Sequence, residues 1–190
     1  MQRKKFRNLP SFFLKKKNFY ATIAVAVVLI AILFSQIRSA VLILLLIGST
    51  VALKFLESYL PRGVNIDPSL FVLVVLSKAY NIPLALGVTI ASFLIGIIVR
   101  GFLTSRMSGE NLIFPPLGYI AVAFFISFFQ LNAFATGIIA VVFYSILMTI
   151  MFGLAYGFPI FDILLFWITI VPFNYWLFAS FGQTVLSLLG

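Results

Sequence analysis

The sequence contains no cysteine and no histidine. That excludes thiolate- or imidazole-ligated zinc, haem and iron–sulfur centres, disulfides, and nucleophilic machinery of the Ser-His or Cys-His type. Without thiols nothing in the chain speaks to a redox compartment. Acid is nearly as scarce: Glu57, Asp67, Glu110 and Asp162 are all of it, at intervals of 10, 43 and 52 residues. A catalytic carboxylate pair or a magnesium cage therefore requires the fold to bring distant acids together. No glycine-rich phosphate loop is present. This inventory argues against an enzyme and gives no residue set for a metal or a cofactor, so none is expected.

What the chain has instead is apolar mass. It is 63% hydrophobic and 9% charged, whereas soluble chains carry about 45–50% apolar and about 25% charged residues. The net charge of +9 belongs mostly to the N-terminus. Arg3, Lys4, Lys5, Arg7, Lys15, Lys16 and Lys17 precede the first apolar run with no acid among them, leaving +2 for everything after. The tail interleaves these charges with Phe6, Phe12, Phe13, Phe19 and Tyr20. Basic and aromatic residues together suit nucleic acid, but next to a membrane span they suit an anionic lipid surface, at about 1 kcal/mol per Lys or Arg. Adjacency to the span selects lipid, and no nucleic acid is expected.

A helix needs about 20 apolar residues to cross a bilayer. Uncharged runs between polar breaks fall at about 19–35, 40–56, 68–80, 83–99, 114–130, 133–156 and 159–189. The expected fold class is all-α, a polytopic transmembrane bundle of six to seven helices. Its organisation is a basic cytoplasmic tail over 1–18 and one helical domain over 19–190. The run around Ser69–Tyr80 is too short for a full crossing, which leaves a short tilted span or a re-entrant half-helix open. Lys/Arg counts place the N-terminus inside and mildly favour seven crossings, while the side of the C-terminus stays open. Ser35–Ala40 lacks a small-x-small cleavage pattern, so the first run reads as an uncleaved span of a cell-membrane, multi-pass protein.

Small residues recur at helical spacing in two places. Ser145, Thr149, Gly153 and Gly157 lie four apart, and Gly87 with Ala91 and Ser92 with Gly96 form overlapping small-xxx-small pairs. Such stripes allow close helix approach in lipid, within the bundle or against a partner subunit. The few polar groups inside apolar runs are costly and therefore informative. Pro172 withdraws a donor from the carbonyl of Ile168 and predicts a broken last helix, with Asn174 and Tyr175 as replacement partners or ligand contacts. Lys78 and Asn81 end the short third run, where Lys78 either snorkels to the interface or stands beneath a pocket as a charge for an anionic solute. Asn174, Tyr175, Lys78 and Asn81 are thus the candidate binding residues, on condition that the two segments converge.

The order of pieces also resembles a family. VNIDPSLFVLVVLSKAYN is followed by PLALGVTIASFLIGIIVRG, then PPLGYIAVAFFISFF, then two helices with a Pro-Phe-Asn element in the last. Over about residues 40–190 this pattern of hydropathy, Gly and Pro looks like the substrate-binding S components of energy-coupling-factor (ECF) transporters, and like the rod-shape protein MreD. The first likeness implies a solute-binding subunit of an uptake transporter, working with a partner membrane subunit and an ATPase. The second implies a non-transporting scaffold for envelope proteins. The Ala-x-x-x-Ala pair common in S components is absent, and Ile98, Val99 and Arg100 stand where MreD commonly has an acid. No ligand residue is therefore carried over from either.

Overall fold

A computed structural model describes residues 16–61, 63–104 and 110–189. The chain divides into two compact units, Met1–Val41 and Leu42–Gly190. In the first, the helix that begins at Lys16 is the described element, and residues 1–15 of the basic tail lie outside the described residues. Apart from the helical course of residues 16–41, everything below concerns the second unit.

Among the described residues the protein is an all-helical bundle of six helices, with no strand. They are α1 (Lys16–Glu57), α2 (Ser69–Ala79), α3 (Ile82–Thr104), α4 (Glu110–Ile126), α5 (Ala133–Tyr156) and α6 (Ile160–Leu189). The stretches Gln36–Glu57, Ile82–Phe102, Ala133–Gly153 and Ile160–Leu189 are long and apolar enough to cross a membrane; α2 and Ile113–Ile126 are shorter apolar helices.

The count is six because the first two apolar runs are one helix. Gln36–Ser39, expected as a break, is helical throughout. It holds neither Pro nor Gly, and a lone Gln and Arg exact little from a helix. The expected break at Pro172 is absent as well. Ile160–Leu177 is continuous α-helix, and one π turn over Phe178–Gly182 follows before the α-helix resumes at Gln183. The loss of a single donor is absorbed in place.

Two other expected corners are present and have clear chemical causes. Asn81 caps α3 by accepting the Leu84 N–H at 2.9 Å, and Asn132 caps α5 by accepting the Ala135 N–H at 2.8 Å. Gly157, at φ +58°, closes α5 in the left-handed conformation, the usual role of glycine just past a helix.

Side-chain contacts fix which ends meet. Lys78 Nζ donates to the carbonyl of Phe129 at 3.3 Å, so the α2–α3 and α4–α5 turns share one end of the bundle. At the other end Phe114 packs edge-on against Phe152, and Gly63 abuts the backbone of Asp162. The core is centred on α2, whose residues from Ser69 to Leu76 are all buried. A short helix enclosed on every side reads as a continuous apolar run, LFVLVVL, without a polar stripe.

Candidate functional site

The polar chain between α1 and α2 descends along α6 into the bundle. Gly63 touches the first turn of α6 at Asp162. Two residues on, the Asn65 N–H donates to Thr169 Oγ1 at 2.9 Å. Two further on, the carbonyl of Asp67 accepts from Asn174 Nδ2 at 3.2 Å. From Asp162 to Asn174 is about 18 Å of helix at 1.5 Å per residue, and Asn174 lies at the middle of Ile160–Leu189. The short third run is therefore not re-entrant: an extended strap leads inward from one end of the bundle to a helix that starts inside it and finishes at the opposite end.

Extended backbone in such a place has no helical partners, and each unmet group is costly. Side chains supply them. Glu57 Oε1 accepts the Ile66 N–H at 2.9 Å, Asn65 Oδ1 accepts the Asp67 N–H at 3.1 Å, and Asp67 Oδ1 accepts the Ser69 N–H at 2.8 Å. Pro68 has no N–H to satisfy. The sequence N-x-D-P-S thus encodes its own hydrogen-bonding partners through short polar side chains that reach two residues on.

The same carboxylates meet a buried cation. Lys54 Nζ lies 2.9 Å from Glu57 Oε2 and 2.9 Å from Asp67 Oδ2, and 5.3 Å from the centroid of the Phe93 ring. Asp67 accepts in addition from the hydroxyl of Ser69 and from Tyr119 Oη at 2.6 Å. Tyr119 stacks flat on Tyr144, centroids 5.4 Å apart. Lys54 is only 5% exposed and Asp67 3%, so these charges depend on each other rather than on water. Room for Lys54 comes from Gly96: a Cβ there would stand 2.9 Å from Lys54 Cβ and 3.5 Å from Val51 Cα. Gly96 is the point on α3 that admits α1, and Ser92 one turn before it is buried, whereas Gly87 and Ala91 are exposed.

Not all buried polar atoms are met within the protein. Among the described residues Asn174 Oδ1, Ser145 Oγ and Thr89 Oγ1 are buried without a hydrogen-bond partner. Asn174 Nδ2 serves Ile170 O at 3.0 Å as well as Asp67 O, so its two donors are engaged and its acceptor is not.

The four residues singled out from sequence are not brought together. Asn174 is at the inner end of the strap, beside the start of α2. Lys78 is in the last turn of α2, exposed, at the opposite end of that helix. Asn81 is a helix cap there. Tyr175 is 53% exposed and edge-on to Phe134. The replacement partner expected for Ile168 O is not Asn174, whose amide goes to Ile170 and Asp67. Sequence reasoning missed Lys54, Glu57, Asp67 and Tyr119. The available signal was a Lys-x-x-Glu pair at the end of an apolar run, with another of the chain's four acids ten residues on.

The small-residue stripe on α5 packs within the chain. Trp167 Nε1 donates to Thr149 Oγ1 at 2.8 Å, and a Cβ on Gly153 would meet Ile163 Cδ1 at an ordinary 3.6 Å. Gly157 is exposed and belongs to the cap.

Fold and site together define a multi-pass helical membrane protein with a charged assembly in its interior. No family model, curated protein or solved structure matches this chain.

Proposed function

We propose that the protein is a non-catalytic membrane subunit that binds a small solute inside its bundle, in the manner of the S components its sequence resembles. The observation that carries this reading is the convergence of polar groups from α1, the strap, α4 and α6 in one buried region, where Asn174 keeps an unpartnered acceptor. Polar groups within a membrane bundle are expensive and mark function by default. An acceptor without a partner favours a solute that presents a hydrogen-bond donor. The chain carries no nucleotide-binding motif, so uptake in this reading depends on a partner membrane subunit and an ATPase. The basic tail then lies on the cytoplasmic face of the cell membrane against anionic lipid, with the N-terminus inside.

The test is gentle solubilisation followed by mass spectrometry of bound small molecules and proteins. A stoichiometric solute, lost on Asn174→Leu with the fold retained, supports the reading. Absence of any solute from wild-type protein purified in native lipid overturns it.

A second reading, a scaffold of the MreD kind, is favoured by one observation: Lys54, the charge best placed to hold an anionic solute, is already shared between Glu57 and Asp67. It predicts envelope proteins in the same co-purification, and no solute.

A further inference from the structure

Among the described residues the buried assembly sets one ammonium against two carboxylates, and the carboxylates are unequally supported. Asp67 accepts four donors: Lys54 Nζ, the Ser69 N–H, the Ser69 hydroxyl and the Tyr119 hydroxyl. Among the described residues Glu57 accepts two, Lys54 Nζ and the Ile66 N–H. An ionised carboxylate is held by the donors aimed at it, and an excess charge removed from water is shed by protonation where that support is weakest.

We propose that Glu57 is a proton-binding site, whose proton neutralises the interior assembly and sets how firmly the strap before α2 is held to α1. The mechanism follows from the inventory of donors. Lys54 Nζ and the Ile66 N–H each donate to one carboxyl oxygen, and a proton on the group removes the charge that strengthens both bonds. With the proton on Oε2, Lys54 is held more by Asp67. With the proton on Oε1, the bond from Ile66 weakens and with it the strap's tie to α1. The proton comes from water and returns to it, with no other bond made or broken.

Among the described residues the groups facing the site are few. Lys54 lies on the same helix, Asp67 on the strap, Tyr119 on α4 and Tyr144 on α5, in contact through the ring stack. On α3 Phe93 presents its ring to Lys54, and Arg100 stands one turn beyond Gly96. Asp162 on α6 meets the strap at Gly63 through its backbone. Arg62 lies outside the described residues. This inference does not rest on solute binding: a scaffold containing the same assembly would titrate in the same way.

The scarcity of acid makes the test direct, since the sequence has four side-chain carboxyls in all. Infrared spectra of the full-length protein in lipid, titrated with pH, are expected to show a protonated-carboxyl stretch at neutral pH that disappears in Glu57→Gln. Asp67→Asn leaves one carboxylate to one ammonium, so in that variant the band should be lost at lower pH than in wild type. No such band in wild type, or a band that survives Glu57→Gln, overturns the proposal. Should Glu57→Gln fold poorly, hydrogen exchange of wild type decides. Corrected for intrinsic pH dependence, exchange of the Ile66 amide should rise by about tenfold as Glu57 is protonated, because its hydrogen bond loses charge assistance. Exchange that stays flat with pH overturns the proposal equally.

Discussion

Asn174 donates its side-chain amide to the carbonyl of Asp67 at 3.2 Å, across 107 positions of sequence. This bond joins the middle of the last helix to the residue before Pro68, where the strap ends and α2 begins. It explains why an asparagine stands in the centre of an apolar segment: extended backbone at that depth needs a donor, and α6 is the element alongside it. Asn174→Leu removes that donor and leaves the Asp67 carbonyl unmet. Thermal or denaturant unfolding in detergent should show a loss of about 1–3 kcal/mol. An unchanged midpoint would mean that the carbonyl is satisfied elsewhere.

The charged assembly predicts a non-additive mutant series. Lys54→Met leaves the buried carboxyl groups of Glu57 and Asp67 without their cation and should cost about 3–5 kcal/mol. Adding Glu57→Gln and Asp67→Asn to Lys54→Met removes the stranded charge and should recover a good part of that loss. If the triple variant is as unstable as the sum of the three single ones, the charges act independently and the assembly described is wrong.

Two glycines of α3, nine positions apart in sequence, should respond oppositely. Gly96→Ala drives a methyl to 2.9 Å from Lys54 Cβ and should destabilise by about 1–3 kcal/mol as overpacking does. Gly87→Ala meets nothing within 4 Å and should stabilise slightly, by about 0.5–1 kcal/mol, since alanine is the better helix former. Equal effects would contradict the placement of α1 against the Gly96 face.

The strap's turn makes a similar demand. Gly63 has φ +91°, and a Cβ there would lie 2.7 Å from the carbonyl oxygen of Asp162. Gly63→Ala should therefore lower stability by about 1–3 kcal/mol from backbone strain plus the contact. A variant melting with wild type would place the turn away from α6.

Much of the bundle was legible because lipid imposes simple arithmetic: length and apolarity identified the long helices, and Asn81, Asn132 and Gly157 marked their ends by ordinary capping chemistry. The site was less legible for a related reason. Polar stretches were read as exits from the membrane, and Glu57 to Asp67 was treated as such a break. Polarity alone does not distinguish a loop facing water from a strap turned inward, because the partners of the second kind are remote: Thr169 and Asn174 belong to the last helix. Pro172 misled in the opposite sense, since a missing donor does not break a helix that its neighbours hold on both sides. Asn174 was singled out for that break, but its amide serves the strap instead.

The central claim is that residues 63–67 run inward along α6, and disulfide trapping in a chain that has no native cysteine measures it most directly. The double variant Asn65→Cys with Thr169→Cys, oxidised in native membranes, should cross-link rapidly and nearly completely, because the Asn65 N–H lies 2.9 Å from Thr169 Oγ1. Asn65→Cys paired with Ser187→Cys, near the far end of α6, should not. A negligible cross-link to position 169, or equal trapping at both positions, would contradict an inward strap and with it the origin of the buried site.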